Sequence, residues 1–229
     1  MTSGRSAARI LSRDDVVRGA IRAIGRDGAQ VTMGAIAAEV GVAKPRLYRM
    51  FADKSDLDRA VADWLVDQIY RAVAPDLSLM MQTRRATVHQ FMTAATEVVL
   101  TYPNVFRYVA ITQSVATGDS SARPLDVGRR LSDDLAERTR TLFAAVGLDT
   151  GGVDHLARGI VGFLVAVTDL WLDVPGKPEP AATEEFIERS TDSVCQLLDG
   201  FLRGKGVVVD PDQPVVETLA AISQKIPPA

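Results

Sequence analysis

A single cysteine, Cys195, serves the whole chain, so no intrachain disulfide framework can form, as suits a reducing compartment. Placed within an apolar helical pattern, it reads as a small buried residue. Histidine is almost as scarce: His89 and His155 lie far apart in sequence, without cysteines or carboxylates at metal-ligand spacing, so no metal site is expected. Gly-rich phosphate loops, a GxSxG elbow and an HExxH run are all missing. The carboxylate pairs Asp133/Asp134 and Glu184/Glu185 read as solvated helix turns. An enzymatic reading has no residues to stand on, and no cofactor is expected. The N-terminal MTSGRSAAR lacks the apolar core of a secretory signal. The longest apolar run, residues 160–172, is interrupted by Asp169 and too short to span a bilayer. A cytoplasmic protein without a membrane partner is the expectation.

What the chain does have is an ordinary globular balance, 47% hydrophobic and 24% charged over 229 residues, enough to bury a real core. Its charge is unevenly placed. Up to Ser55 there are ten Lys/Arg against five Asp/Glu; beyond it, 16 face 24. The first quarter therefore attracts phosphate and the remainder repels it. This asymmetry divides the chain into a flexible basic arm (1–11), a DNA-facing unit (12–55) and a larger domain with another task (56–229). Arg5 and Arg9 of the arm have the chemistry to enter a minor groove.

The basic quarter is organised around residues 32–51, TMGAIAAEVGVAKPRLYRMF. Thr32 is a good N-cap, Ile36, Ala37 and Val40 share a helical face, and Gly41 supplies the positive φ of a corner. A second short helix then starts near Lys44. Leu47 and Phe51, four apart, form its inner side, which turns Pro45 and Arg49 outward with Arg46 and Tyr48 flanking them. Such a helix fits the major groove of B-DNA, where an arginine can grip a guanine edge with two hydrogen bonds. The chemistry assigns Thr32, Lys44 and Lys54 to phosphates, and Arg46 and Arg49, the better centred, to base edges. Pro45 is tolerated because a first-turn N–H is unpaired anyway.

A helix over 13–27 with Ser12 as cap precedes this corner, and ADKSDLDRAV follows it directly. In this setting the stretch from Val16 to Val61 resembles the TetR family of bacterial transcriptional regulators, carried by DGAQ, Thr32, IAAEVGV, AKPRLYRMF and Lys54 followed by Leu57. The resemblance implies that Tyr48 donates its hydroxyl to a phosphate, and that the protein is a repressor. Two positions depart from the family pattern: Met50, where an aromatic or histidine is common, and Arg46, where a small hydroxyl residue is frequent.

Beyond the basic unit the periodicity is helical throughout, so the expected fold is all-α; the resemblance implies a three-helix helix-turn-helix unit followed by a helical effector-binding and dimerisation domain. A long helix from Lys54 to Val73, stopped by Pro75, connects the two. Further helices are expected over 83–101, from an Asn104 cap through Gln113, along Leu131, Leu135, Leu142, Phe143 and Val146, and over 153–173, 184–203 and 215–226. GDSSARP and PGKPEPAAT read as loops. An apolar cavity with a few polar points is sought among Trp64, Gln68, Phe91, Met92, Phe106, Gln113, Thr168, Asp169 and Trp171, for a small and largely apolar effector. In the family the helices over 153–173 and 184–203 pair with those of a second copy. That implies a homodimer interface carrying Gly159, Gly162, Ala166, Ile187, Val194, Leu198 and Phe201. The expected partners are thus duplex operator DNA, a small molecule and a second copy. A competing reading is a ligand-carrying or protein-interaction helical domain with a vestigial DNA-binding unit.

Overall fold

The structure, a computed structural model, describes residues 11–72, 77–114, 126–173 and 178–225. Among them are ten α-helices: α1 (Arg13–Asp27), α2 (Met33–Glu39), α3 (Lys44–Tyr48), α4 (Lys54–Ala72), α5 (Arg84–Thr101), α6 (Pro103–Ser114), α7 (Asp126–Ala145), α8 (Val153–Leu172), α9 (Pro180–Gly204) and α10 (Val215–Lys225). Short 3-10 turns occupy Gly28–Gln30 and Leu77–Met81. The arm with Arg5 and Arg9, Pro75, the loop over 118–124 and Ile226 lie outside the described residues, as does the Gln113 side chain.

Local chemistry sets the helix ends. Ser12 and Asp15 exchange side-chain and backbone hydrogen bonds in a full capping box at the start of α1. Thr32 and Thr83 accept from the N–H of Ala35 and Ala86 and so cap α2 and α5. Between α2 and α3 Gly41 takes φ 69°, the left-handed turn the corner requires. Gly19 answers a different need, since a methyl there would lie 2.1 Å from Val40 Cγ1 where α1 crosses the end of α2.

The first core gathers Val16, Ala20 and Ile24 of α1, Ile36, Leu47 and Phe51 of the corner, and Leu57 and Val61 of α4. It also takes Val105, Tyr108 and Val109 from α6, so the boundary expected after Ser55 does not divide the packing. Asn104 explains part of this. Instead of capping α6 it donates to the Gly25 carbonyl at 2.8 Å and ties α6 to α1.

The rest of the chain packs α5 against α9 and α7 against α8, with α4 and α6 joining this layer to the first. Arg85 of α5 bonds Glu188 and Asp192 of α9, and Arg84 pairs with Asp199 at 2.6 Å. Helix α9 starts four residues earlier than expected because Pro180 fits its first turn. Leu142 of α7 is 41% exposed, whereas Ala136 and Ser132 are buried. Helix α10 docks beside Leu77–Met81 through the Val215 N–H to the Gln82 carbonyl at 2.9 Å. Cys195 is buried, and that burial pushes its thiol pKa up.

Candidate nucleic-acid interface

Helix α3 is only five residues long, but its hydrogen bonding continues into Phe51, whose N–H donates to the Leu47 carbonyl at 3.0 Å. Leu47 and Phe51 are fully buried, which fixes the rotation of the segment. Lys44, Pro45, Arg46, Tyr48 and Arg49 all face outward, with Tyr48 46% exposed. Arg49 stands at the C-cap, leaving Arg46 as the better-centred arginine on the helix. Thr32 and Lys44 converge across Gly34: a Cβ built there would be 3.6 Å from Thr32 Oγ1 and 4.0 Å from Lys44 Nζ.

Charge pairing separates this face from the basic residues around it. On α1, Arg22 and Arg26 both bind Glu39 of α2 at 2.8 Å, and Arg26 also binds Asp27. Those guanidinium groups hold the Glu39 carboxyl below the usual carboxylate range. Arg13 donates to the Met50 carbonyl at 2.7 Å, pairs with Asp56 at 2.7 Å and lies 4.1 Å from the Phe51 ring centroid. It lowers the Asp56 pKa, while the Ala52 N–H donates to the same carboxylate. Arg13 therefore clamps the end of the recognition segment to α1 and α4. By contrast, Lys44, Arg46, Tyr48 and Arg49 have no ion pair or side-chain hydrogen bond among the described residues.

Lys54 differs from the free cations. Its ammonium is 2.8 Å from the Tyr108 hydroxyl and 3.2 Å from an Asp58 oxygen, and Tyr108 in turn donates to Asp58. Burial, followed by the bond to Asp58, drives the Tyr108 pKa far up and keeps the phenol protonated. The lysine expected on phosphate thus links the first turn of α4 to α6. Sequence spacing offered no sign of this, because the partner lies 54 residues away.

Of the nine residues expected to line an effector cavity, five are divided between two cores. Trp64 and Phe106 pack on the first, with Trp64 edge-on to Tyr102 at 4.9 Å. Phe91, Met92 and Trp171 belong to a second core with Phe186 and Ile187, where Trp171 stacks on Phe186 at 4.4 Å. Thr168 is buried and Gln68 half-buried, but Asp169 is exposed and faces away from any interior. Trp171 Nε1 and the Thr96 hydroxyl are among the buried side-chain atoms with no hydrogen-bond partner among the described residues. A cleft of about 450 Å³ lies elsewhere, between α1 and α4, lined by Arg13, Arg18, Asp63, Trp64 and Asp67 among others.

The expected interface residues also divide. Gly159, Gly162 and Ala166 are exposed along one side of α8, and the stripe continues to Leu170, 71% exposed. Ile187 and Val194 are instead buried within the chain because α9 turns that side toward its own neighbours, α5 and α8. Phe201 stacks on Phe143 at 6.2 Å, and Leu198 is half-buried. The outward side of α9 carries Leu197, 41% exposed. By length and composition α8 as a whole could cross a membrane, whereas the run over 160–172, interrupted by Asp169, read as too short. It packs against α7 and α9 on one side and leaves the other exposed.

Residues 16–61 match a family described as bacterial regulatory proteins, tetR family. Two uncharacterized HTH-type transcriptional regulators of Mycobacterium tuberculosis are each 30% identical over 192 residues, which is 82% of this chain and 79% of theirs. Among solved structures, BioQ with its double-stranded DNA operator aligns with TM-score 0.57 at 21% identity, over 85% of this chain and 99% of that one. A tetR-family regulator from Streptomyces coelicolor aligns with TM-score 0.57 at 14% identity, over 94% and 89%. At such identities these structures speak for the fold.

Proposed function

The chain belongs to the TetR family of bacterial transcriptional regulators, and from that premise we propose a homodimeric repressor that reads duplex operator DNA with α3 and leaves it when a small apolar effector binds. The observation that carries the reading is the contrast in charge pairing. Cations on α1 are held by neighbouring carboxylates, whereas Lys44, Arg46 and Arg49 stand free beside exposed Tyr48. Unpaired charge held on a rigid face suits phosphates and base edges. Arg46 and Arg49 take base edges, and Thr32 with Lys44 grips one phosphate across Gly34. Tyr48 donates to another while Pro45 packs at the groove wall. Lys54 remains within reach of the backbone, with Asp58 and Tyr108 setting its position.

Dimerisation is supported by α8. Only 28% of its apolar window is buried within the chain, and Gly159, Gly162, Ala166 and Leu170 line one exposed side. Covering that stripe with the same stripe of a second copy gives a two-fold pair, as pseudo-palindromic operators require. The effector's place is the second core at Phe91, Met92 and Trp171, where the unpartnered indole N–H of Trp171 offers a polar point. Helix α4 carries the signal. Arg130 of α7 holds it through Asp63 at 2.7 Å and Asp67 at 3.1 Å, and Tyr108 of α6 holds its first turn. An effector that favours one setting of these contacts shifts the population of DNA-competent dimers. A vestigial DNA unit on a ligand carrier leaves the three free cations without a purpose.

The test is to recover genomic fragments with the purified chain and titrate them by fluorescence anisotropy at increasing salt. Four to six phosphate contacts per dimer predict that log K falls against log salt with a slope of about −4 to −5. A flat response would contradict the reading.

A further inference from the structure

We propose that His89 of α5 with Glu184 and Glu188 of α9 forms a binding site for a divalent transition-metal cation of the zinc class. Each side chain offers one ligand atom, and the three atoms lie within 4.8 Å of one another. His89 Nε2 is 3.2 Å from a Glu188 oxygen and 3.9 Å from a Glu184 oxygen. A tetrahedral zinc with bonds of about 2.0 to 2.2 Å sets its ligand atoms roughly 3.3 to 3.6 Å apart. The contact of His89 with Glu188 already has about that spacing, and its contact with Glu184 is wider. Glu184, with 66% of its side chain exposed, is free to swing inward and close the difference. Glu184 and Glu188 are one helical turn apart and so share a face, with the imidazole supplied by the facing helix.

The donor chemistry fits. One imidazole and two carboxylates neutralise a divalent charge, form a set that zinc accepts, and leave a position open to water. Glu188 is also held as metal-bound carboxylates usually are. Its second oxygen accepts from Arg85, which donates as well to Asp192 at 2.9 Å, and this turns the first oxygen toward His89. A cation here staples α5 to α9 at the edge of the core that contains Met92, Phe186 and Ile187. The inference stands apart from the DNA-binding reading. It reverses the expectation drawn from sequence spacing, which could not see a histidine meet carboxylates some hundred positions away.

The experiment is calorimetric titration of the full metal-free chain with zinc, paired with thermal melts. One zinc per chain is expected, with a melting temperature that rises with zinc because the ion binds only the folded state. His89→Ala weakens zinc binding by at least about tenfold and removes the melting shift. Glu184→Gln, at an exposed position that folding does not need, weakens it also. His155→Ala, on exposed His155 of α8, leaves both readings unchanged. Zinc binding that persists unchanged in His89→Ala and Glu184→Gln, or that falls equally in His155→Ala, overturns the site. So does binding with no melting shift.

Discussion

Replacing Phe51 with alanine is expected to destabilise the protein by about 3 to 5 kcal/mol and to abolish DNA binding with it. The ring is fully buried in the first core, where α1, α3, α4 and α6 meet. It also supports Arg13, whose guanidinium lies 4.1 Å from the ring centroid while bonding the Met50 carbonyl and Asp56. Alanine removes the packing and the platform together, and the orientation of α3 goes with them. A domain's whole stability is about 5 to 15 kcal/mol, so the loss is a large share of it. Urea unfolding followed by circular dichroism measures the effect. A change below about 1 kcal/mol would show that the core does not depend on this residue.

Arg46→Ala is expected to weaken binding to the preferred operator by about 1 to 3 kcal/mol, with far less effect on random duplex. Arg46 is exposed, unpaired and central on α3, whereas Arg49 occupies the C-cap. Recognition helices contact bases mainly through their N-terminal residues, which favours Arg46 as the principal reader. Lys44→Ala should behave differently, weakening operator and random duplex alike and reducing the salt slope by about two, one contact from each chain of the dimer. Competition titrations on matched and scrambled duplexes separate the two. Equal losses on both duplexes for Arg46→Ala would remove it from base reading.

Local signals were legible where the chain speaks to its near neighbours. The Ser12 cap, the Thr32 cap, the turn at Gly41 and the inward pair Leu47 and Phe51 all follow from spacing and propensity, and the structure has them. What escaped was set by tertiary partners. Lys54 read as a phosphate contact, but folding brings Tyr108 to it from 54 residues away; its i+4 neighbour Asp58 was within reach of spacing alone. Arg13 gave no hint of its hold on Met50 and Asp56, residues brought close only by folding. Ile187 and Val194 have the apolar character of an interface, but periodicity shows that a face is buried and not what buries it. In α9 that partner is the chain's own α5 and α8. Trp64 and Trp171 looked like members of one cavity because aromatic character carries no address; the fold sends them to different cores.

Hydroxyl-radical footprinting of the recovered operator, with binding stoichiometry measured on the same duplex, tests most directly that the outward face of α3 meets DNA in a two-fold pair. Two chains per site and two protected half-sites in inverted repeat are expected, centred one helical turn of about 34 to 36 Å or a multiple apart. Protection should vanish when Lys44, Arg46 and Arg49 are together replaced by alanine in a chain that still folds. A single protected segment bound by one chain, or a footprint that survives the triple replacement, would contradict it.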